Sequence, residues 1–106
     1  MQDAKTLVMD EPTANLDYGN QSRVMDCVRG LSADGYTVIF STHDPNQALL
    51  NATRALALQG GAVLCDGAPQ AVLTEELLKS LYDVGVVRRM LPDCGLTVCI
   101  PVGKGW

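Results

Sequence analysis

Short apolar blocks alternate with polar residues along the first half of the chain. Residues 7–9 are Leu-Val-Met and run into two carboxylates, and the β-branched and apolar run at residues 37–41 is followed by Thr-His-Asp. Between the two runs, four apolar residues follow the i, i+3, i+4, i+7 spacing of a one-sided helix. They are Val24, Cys27, Val28 and Leu31. The pattern predicts a β-α-β unit whose parallel strands present their polar ends at one edge of the sheet.

The second half of the chain alternates between strand patterns, turn residues and short helical patterns. The apolar stretches 54–58 and 62–65 flank a Gln-Gly-Gly turn, which predicts a β-hairpin. Residues 69–73 and 74–82 predict two short helices, the second with a threonine cap and two glutamates in its first turn. Residues 84–106 contain two strand-like stretches around a Pro-Asp-Cys-Gly turn, and no chemistry is assigned to them.

Asp10 and Glu11 stand where the first predicted strand ends. Adjacent carboxylates repel each other, so they favour a cation, a proton or a basic partner nearby. Mg²⁺ often binds one protein carboxylate together with water and substrate phosphates, which leaves the second carboxylate free to orient a water molecule. In this interpretation Asp10 serves the metal and Glu11 serves the nucleophilic water. The structural alternative is a strand that ends in an acidic turn at Pro12.

The string from Leu7 to Asp17 extends this motif. Its sequence, Leu-Val-Met-Asp-Glu-Pro-Thr-Ala-Asn-Leu-Asp, resembles the Walker B strand and D-loop of the ATP-binding subunits of ABC transporters. The resemblance implies an α/β fold, the C-terminal part of a P-loop NTPase domain, with ATP as substrate. It implies that Asp10 holds the Mg²⁺ shell and that Glu11 polarises the attacking water. It also implies that Asp17 lies in a loop that contacts the second ATPase subunit of a head-to-tail dimer.

His43 is the single histidine of the chain and follows the second predicted strand. A lone histidine is more often a satisfied surface or core imidazole than a catalytic group. However, Ser41-Thr42-His43-Asp44 resembles the switch loop, or H-loop, of the same ATPases. The resemblance implies that His43 reaches the γ-phosphate and stabilises the charge that develops during transfer. Asp44 begins an Asp-Pro-Asn-Gln string typical of a helix N-terminus, so we predict that Asp44 caps a helix.

Two further motifs of an ABC ATPase do not occur in the sequence. A P-loop needs Gly-x-x-x-x-Gly-Lys-[Ser/Thr], because its backbone N–H groups wrap the phosphates. The Gly103-Lys104 pair is followed by Gly105 and has Val98 where the first glycine would stand. The glycine-containing signature loop is also absent. We therefore expect residues 1–106 to form a partial ABC ATPase domain, a fragment with negligible ATPase activity alone.

The D-loop ending, the Thr-His-Asp-Pro-Asn-Gln-Ala string and the compact tail are most similar to importers of iron-siderophore, haem or cobalamin. This similarity implies an ATP hydrolase coupled to transport, with a transmembrane permease as partner at the inner face of the cell membrane. Two alternatives stay open: a non-catalytic remnant with only interaction capacity, and a soluble ABC-type ATPase acting on ribosomes or DNA. Asn15 disfavours the ribosome branch, which tends to carry histidine there, and no long coiled coil of the DNA-repair branch is visible.

Composition agrees with a piece of a globular domain. Hydrophobic residues make up 47% of the chain, which disfavours disorder. The formal net charge of −4 disfavours a nucleic-acid surface, since phosphate backbones attract clustered Lys and Arg. No apolar run approaches the roughly 18 residues needed to span a bilayer, so we expect a cytoplasmic protein.

Overall fold

The computed structural model describes residues 5–102. The chain divides into two compact units, Met1–His43 and Asp44–Trp106. The elements of the first unit are β1 (Thr6–Asp10), α1 (Tyr18–Ala33) and β2 (Thr37–Ser41). No helix among the described residues combines the length and apolarity needed to cross a membrane. The Gly103-Lys104 pair lies outside the described residues, and the assignment of residues 1–106 to one partial domain stays a prediction.

The first unit is the predicted β-α-β crossover. Strand β1 pairs with β2 in parallel along its whole length, from Thr6 opposite Thr37 to Asp10 opposite Ser41. Helix α1 packs against β2, and it begins at the cap residue Asp17, whose side chain accepts a hydrogen bond from a first-turn amide. Both strands therefore end at the same edge of the sheet, as the sequence predicts.

The buried face of α1 differs from the predicted one at Cys27 and Met25. Met25 and Val28 are buried, whereas Cys27 is exposed. Successive helical residues are rotated by about 100°, so the residue before Val28 points well away from a stripe centred on Val28. The prediction that Cys27 belongs to the buried face is therefore wrong, and Met25, which carries the longer side chain, fills that face instead.

Up to residue 102, the second unit consists of two hairpins and three short helices, in the predicted order. Its elements are α2 (Pro45–Asn51), β3 (Ala55–Gln59), β4 (Ala62–Gly67), α3 (Pro69–Val72), α4 (Glu75–Tyr82), β5 (Val86–Met90) and β6 (Thr97–Pro101). Strands β3 and β4 are antiparallel, and so are β5 and β6. The turn of the first hairpin needs two consecutive positive φ angles, and Gly60 and Gly61 supply them at 58° and 79°.

The buried core of the second unit draws on α2, α4, β6 and the residue that follows α3. Its buried residues are Leu49, Leu73, Leu78 and Cys99. Leu78 is completely buried, and its position follows from the local cap, because the Thr74 hydroxyl accepts a hydrogen bond from the Leu77 amide at 3.1 Å. This cap confirms the predicted start of α4.

Candidate nucleotide site

The ends of β1 and β2 bring a carboxylate and a hydroxyl together. Asp10 and Ser41 face each other in the strand register, and the Ser41 hydroxyl donates a hydrogen bond to Asp10 Oδ1 at 2.5 Å. Asp10 is exposed, so solvent reaches its carboxylate. The Ser41 hydroxyl therefore orients a carboxylate that solvent reaches.

The backbone turns sharply at Glu11, immediately after β1. Its φ angle of 45° lies in the left-handed region, which costs a residue with a side chain on the order of 1–2 kcal/mol. Ser41 holds this conformation, because the Glu11 amide donates to the Ser41 carbonyl oxygen at 3.1 Å and to the Ser41 hydroxyl at 3.0 Å. Strained backbone of this kind is concentrated at functional sites.

His43 lies beside Glu11, two residues beyond the end of β2. Its Nε2 atom is 3.4 Å from Glu11 Oε1, and the two side chains are 85% and 40% exposed. A contact this exposed contributes little stability, because water screens it. The contact matters for its geometry, because it brings the Glu11 carboxylate and the His43 imidazole within 3.4 Å of each other. We call Asp10, Glu11, Ser41 and His43 the strand-end cluster.

Ser41 is the member of the strand-end cluster whose role the sequence did not reveal. It occurs in the string that resembles an H-loop, but the resemblance implies no role for it. Its hydroxyl serves both neighbouring carboxylate residues, as an acceptor for the Glu11 amide and as a donor to Asp10. A polar residue at the end of a strand paired with an acidic strand end is the only sequence signal for this role, and it depends on the register.

Asp17 occupies a different position from the strand-end cluster. It is the N-cap of α1, where Oδ1 accepts from the Asn20 amide at 2.8 Å and the backbone carbonyl accepts from the Gln21 amide at 2.8 Å. The next residue, Tyr18, is 90% exposed. Asp17 therefore stabilises the helix start, while its exposed neighbourhood leaves room for a partner.

The side chains at the strand ends suit a cation that takes most of its ligands from water and phosphate oxygens. Among residues 5–102, no group of three or more His, Cys, Asp or Glu side chains could hold a metal ion by itself. A single accessible carboxylate, here Asp10, fits Mg²⁺, which is commonly bound through one or two carboxylates, with phosphate oxygens and water completing its octahedral shell. Asp10 is thus a fitting ligand for a nucleotide-bound magnesium ion.

The residue after His43 has the predicted capping role. Asp44 Oδ1 accepts a hydrogen bond from the Asn46 amide at 2.9 Å, and Pro45 occupies the first turn of α2. The proline has no amide hydrogen to leave unsatisfied there. The helix start immediately after His43 is therefore fixed by local chemistry.

Comparison with known proteins gives relatives that include ATP-binding proteins of import systems. No family model matches the chain. It is 40% identical to a haemin import ATP-binding protein of Nocardia farcinica over 95% of this chain and 35% of the relative. It is 31% identical to the ferric enterobactin transport ATP-binding protein of Escherichia coli, over 97% of this chain and 38% of the relative. It is 34% identical to a vitamin B12 import ATP-binding protein of Photobacterium profundum, over 81% of this chain and 34% of the relative.

Solved structures give the same result. A metal-chelate type ABC transporter in an inward-facing conformation superposes with a TM-score of 0.84 at 30% identity, over 94% of this chain and 41% of that chain. CbiO1 of Clostridium perfringens, part of the ABC transporter complex CbiONQ, gives a TM-score of 0.60 at 33% identity over 68% of this chain. The chain spans about a third of the length of the curated relatives named above.

Proposed function

Since this chain belongs to the family of ABC transporter ATP-binding subunits, we propose that it carries the part of an ATP hydrolysis site that meets Mg²⁺, the attacking water and the γ-phosphate. One observation carries the proposal: Asp10, Glu11 and His43 converge where two parallel strands end. Ligands of open α/β sheets bind at the carboxyl ends of the strands, and this cluster stands at that edge.

Asp10 is the proposed magnesium ligand. Ser41 holds Oδ1 at 2.5 Å and so directs the plane of the carboxylate. In a loaded enzyme the ion supplies positive charge that offsets the charge on the β- and γ-phosphates. Asp10 contributes a fixed and accessible oxygen to that ion.

Glu11 is the proposed general base. Its side chain is 40% exposed, so water reaches it, and its backbone is held by two hydrogen bonds to Ser41. The carboxylate takes a proton from the attacking water as the water oxygen bonds to the γ-phosphorus. The bond between that phosphorus and the β–γ bridging oxygen breaks, and ADP leaves with the electron pair.

His43 is the proposed γ-phosphate contact. Its imidazole is 3.4 Å from the Glu11 carboxylate and 85% exposed, so one group could touch both the base and the phosphate. A hydrogen bond from the ring to a phosphate oxygen stabilises charge that increases in the transition state. This contact should matter more for turnover than for nucleotide affinity.

The importer assignment rests on the names of the relatives, which import haemin, ferric enterobactin and vitamin B12. We propose that the protein of which this chain is part energises uptake of a compound of the iron-siderophore, haem or cobalamin class. Its partners are then a second ATPase subunit and a transmembrane permease, at the cytoplasmic side of the membrane. The exposed start of α1, at Asp17 and Tyr18, is the proposed contact with the second subunit.

The 106-residue chain is expected to hydrolyse ATP negligibly by itself. No Gly-x-x-x-x-Gly-Lys-[Ser/Thr] string occurs in it, and backbone amides of that loop normally provide much of the phosphate binding. This same observation favours the second candidate, a remnant that only competes for subunit contacts. Phosphate release at saturating Mg-ATP is the measurement, and robust turnover by the chain alone would contradict the expectation.

The proposal is tested in a chimera in which this chain replaces the aligned segment of the haemin import relative from Nocardia farcinica. Glu11→Gln keeps the shape of the side chain and removes the base, so ATP should still bind while turnover falls by about 10²–10⁴. His43→Ala should lower kcat more than nucleotide affinity.

Glu76→Gln is the matched control, because Glu76 is an exposed glutamate in the first turn of α4. Turnover and ATP binding should both be unchanged in this variant. If Glu11→Gln behaves like Glu76→Gln, Glu11 is not the base. If the unmutated chimera binds nucleotide but does not turn over, the remnant is the better description of this chain.

A further inference from the structure

Asn46 connects the start of α2 to the last strand. Its Nδ2 atom donates to the Cys99 carbonyl at 3.1 Å, and its Oδ1 atom accepts from the Cys99 amide at 2.7 Å. The carboxamide thus pairs with β6 as the peptide of a neighbouring strand would. The two residues are 53 positions apart, so this is a long-range tie and not a local turn.

Cys99, the residue that Asn46 binds, is held in the core of the second unit. Cys99 is 5% exposed and packs in the core with Leu49, Leu73 and Leu78, and it also lies in the strand that pairs with β5. Two part-buried hydrogen bonds to such a residue leave the side chain of Asn46 little freedom. The β5–β6 hairpin, to which the sequence assigned no chemistry, is therefore the support for the first turn of α2.

The first turn of α2 begins at Pro45, two residues after His43. The Asn46 amide donates to the Asp44 side chain at 2.9 Å, so the same residue is held to the helix cap through its backbone and to β6 through its side chain. His43 is three residues from Asn46, within about 11 Å of chain at 3.8 Å per residue. Asp44, whose side chain the Asn46 amide binds, is joined to His43 by a peptide bond.

We propose that Asn46 is a positioning residue for His43, and that it acts by pairing with Cys99 of β6. This inference rests on the proposed role of His43 in hydrolysis and extends it to a residue that touches neither nucleotide nor metal. A residue of purely structural value would affect stability without acting through His43. A positioning role therefore predicts a loss of kcat that depends on the presence of His43. A purely structural role predicts no such dependence.

The first test compares Asn46→Ala with Gln70→Ala in the chimera described above. Gln70 is a matched control because its Nε2 atom donates to the Leu49 carbonyl at 3.1 Å, at the opposite end of α2 and also part-buried. Asn46→Ala should lower kcat about tenfold, because the free energy of two neutral hydrogen bonds corresponds to about a tenfold change in rate. KM for ATP should change less than about twofold, and Gln70→Ala should leave kcat unchanged.

A second variant guards against a folding defect. Asn46→Asp keeps the acceptor for the Cys99 amide but turns an oxygen toward the Cys99 carbonyl, so its kcat should fall at least as far as that of the alanine variant. Thermal unfolding midpoints of all three variants are measured in parallel. Equal losses of kcat in Asn46→Ala and Gln70→Ala, or losses of kcat that simply follow the unfolding midpoint, would overturn the proposal.

A double-mutant cycle separates this inference from the proposed function. In a His43→Ala background, Asn46→Ala should lower kcat by less than about twofold, because residues that act through one another are not additive. A tenfold loss in both backgrounds would show that Asn46 acts elsewhere. If His43→Ala itself leaves kcat unchanged, the proposed role of His43 fails, which is a different result.

The lone histidine offers a readout that needs no ATP hydrolysis. Because the chain has one histidine, its ring protons give a single assignable set of NMR signals in the 106-residue chain. Asn46→Ala should shift or broaden these signals as His43 samples more conformations, and Gln70→Ala should leave them in place. Identical His43 signals in the unmutated chain and in Asn46→Ala would overturn the inference.

Discussion

Removing the Ser41 hydroxyl is the most direct test of the strand-end cluster. Ser41→Ala deletes the donor to Asp10 Oδ1 and one of two acceptors for the Glu11 amide, while the Ser41 carbonyl remains to hold that amide. The main loss is therefore the orientation of the Asp10 carboxylate. We expect weaker Mg²⁺ binding to the nucleotide-loaded chimera rather than loss of the fold.

The size of the effect follows from the hydrogen bond. A hydrogen bond to a charged group contributes about 1.5–3 kcal/mol, and the exposed position of Asp10 places this one at the lower end, because water competes for the carboxylate. About 1.5 kcal/mol corresponds to a little more than tenfold in an equilibrium constant. Substitution of a residue that binds a metal ligand typically lowers metal affinity by about 10–100-fold. The two estimates therefore agree near tenfold.

The assay is ATP turnover of the chimera as a function of Mg²⁺ at fixed total ATP. Ser41→Ala should raise the half-saturating Mg²⁺ concentration about tenfold and leave turnover at saturating Mg²⁺ reduced by a smaller factor. Ser41→Thr retains a hydroxyl on the same β carbon and should restore the Mg²⁺ dependence. A Mg²⁺ dependence that is the same for alanine, threonine and serine at position 41 would refute the reasoning.

Two further predictions concern the second unit and need no nucleotide. Leu78→Ala should lower the free energy of unfolding by about 2–5 kcal/mol, because Leu78 is completely buried. Leu58 is 60% exposed, so Leu58→Ala should lower the free energy of unfolding much less. Equal losses for the two variants in denaturant unfolding would contradict the assigned core. Arg54 donates two hydrogen bonds of 2.6 Å to Asp66, and this partner holds the pKa of the Asp66 carboxyl below its ordinary value of 3.8. The folded pKa is thus the lower one, so the stabilisation is present above the unfolded pKa and is lost as pH falls through the folded pKa. Unfolding midpoints of the unmutated chain and Arg54→Ala should differ at neutral pH and converge in strong acid, and a difference that persists there would count against this origin.

The sequence by itself determined the elements and the identity of the chemical groups. Helix caps such as Asp44 and Thr74 were predictable because capping depends on residues within one turn, and all of that information is local. The ends of β1 and β2 were predictable for a similar reason, since apolar runs stop where the chain becomes polar. Locally encoded features of this kind include the β-α-β order, the first hairpin and the strand-like stretches on either side of the last turn.

Only the tertiary structure decided which groups touch. The Ser41 contact with Asp10 exists because β1 and β2 pair in one register, and a shift of one residue would turn each side chain to the other face. The same register sets the 3.4 Å approach of His43 to Glu11. The hydrogen bonds between Asn46 and Cys99 join residues that are 53 positions apart in the chain. Such contacts leave no periodic trace in the sequence, because their partners are brought together by the packing of whole elements and not by spacing along the chain.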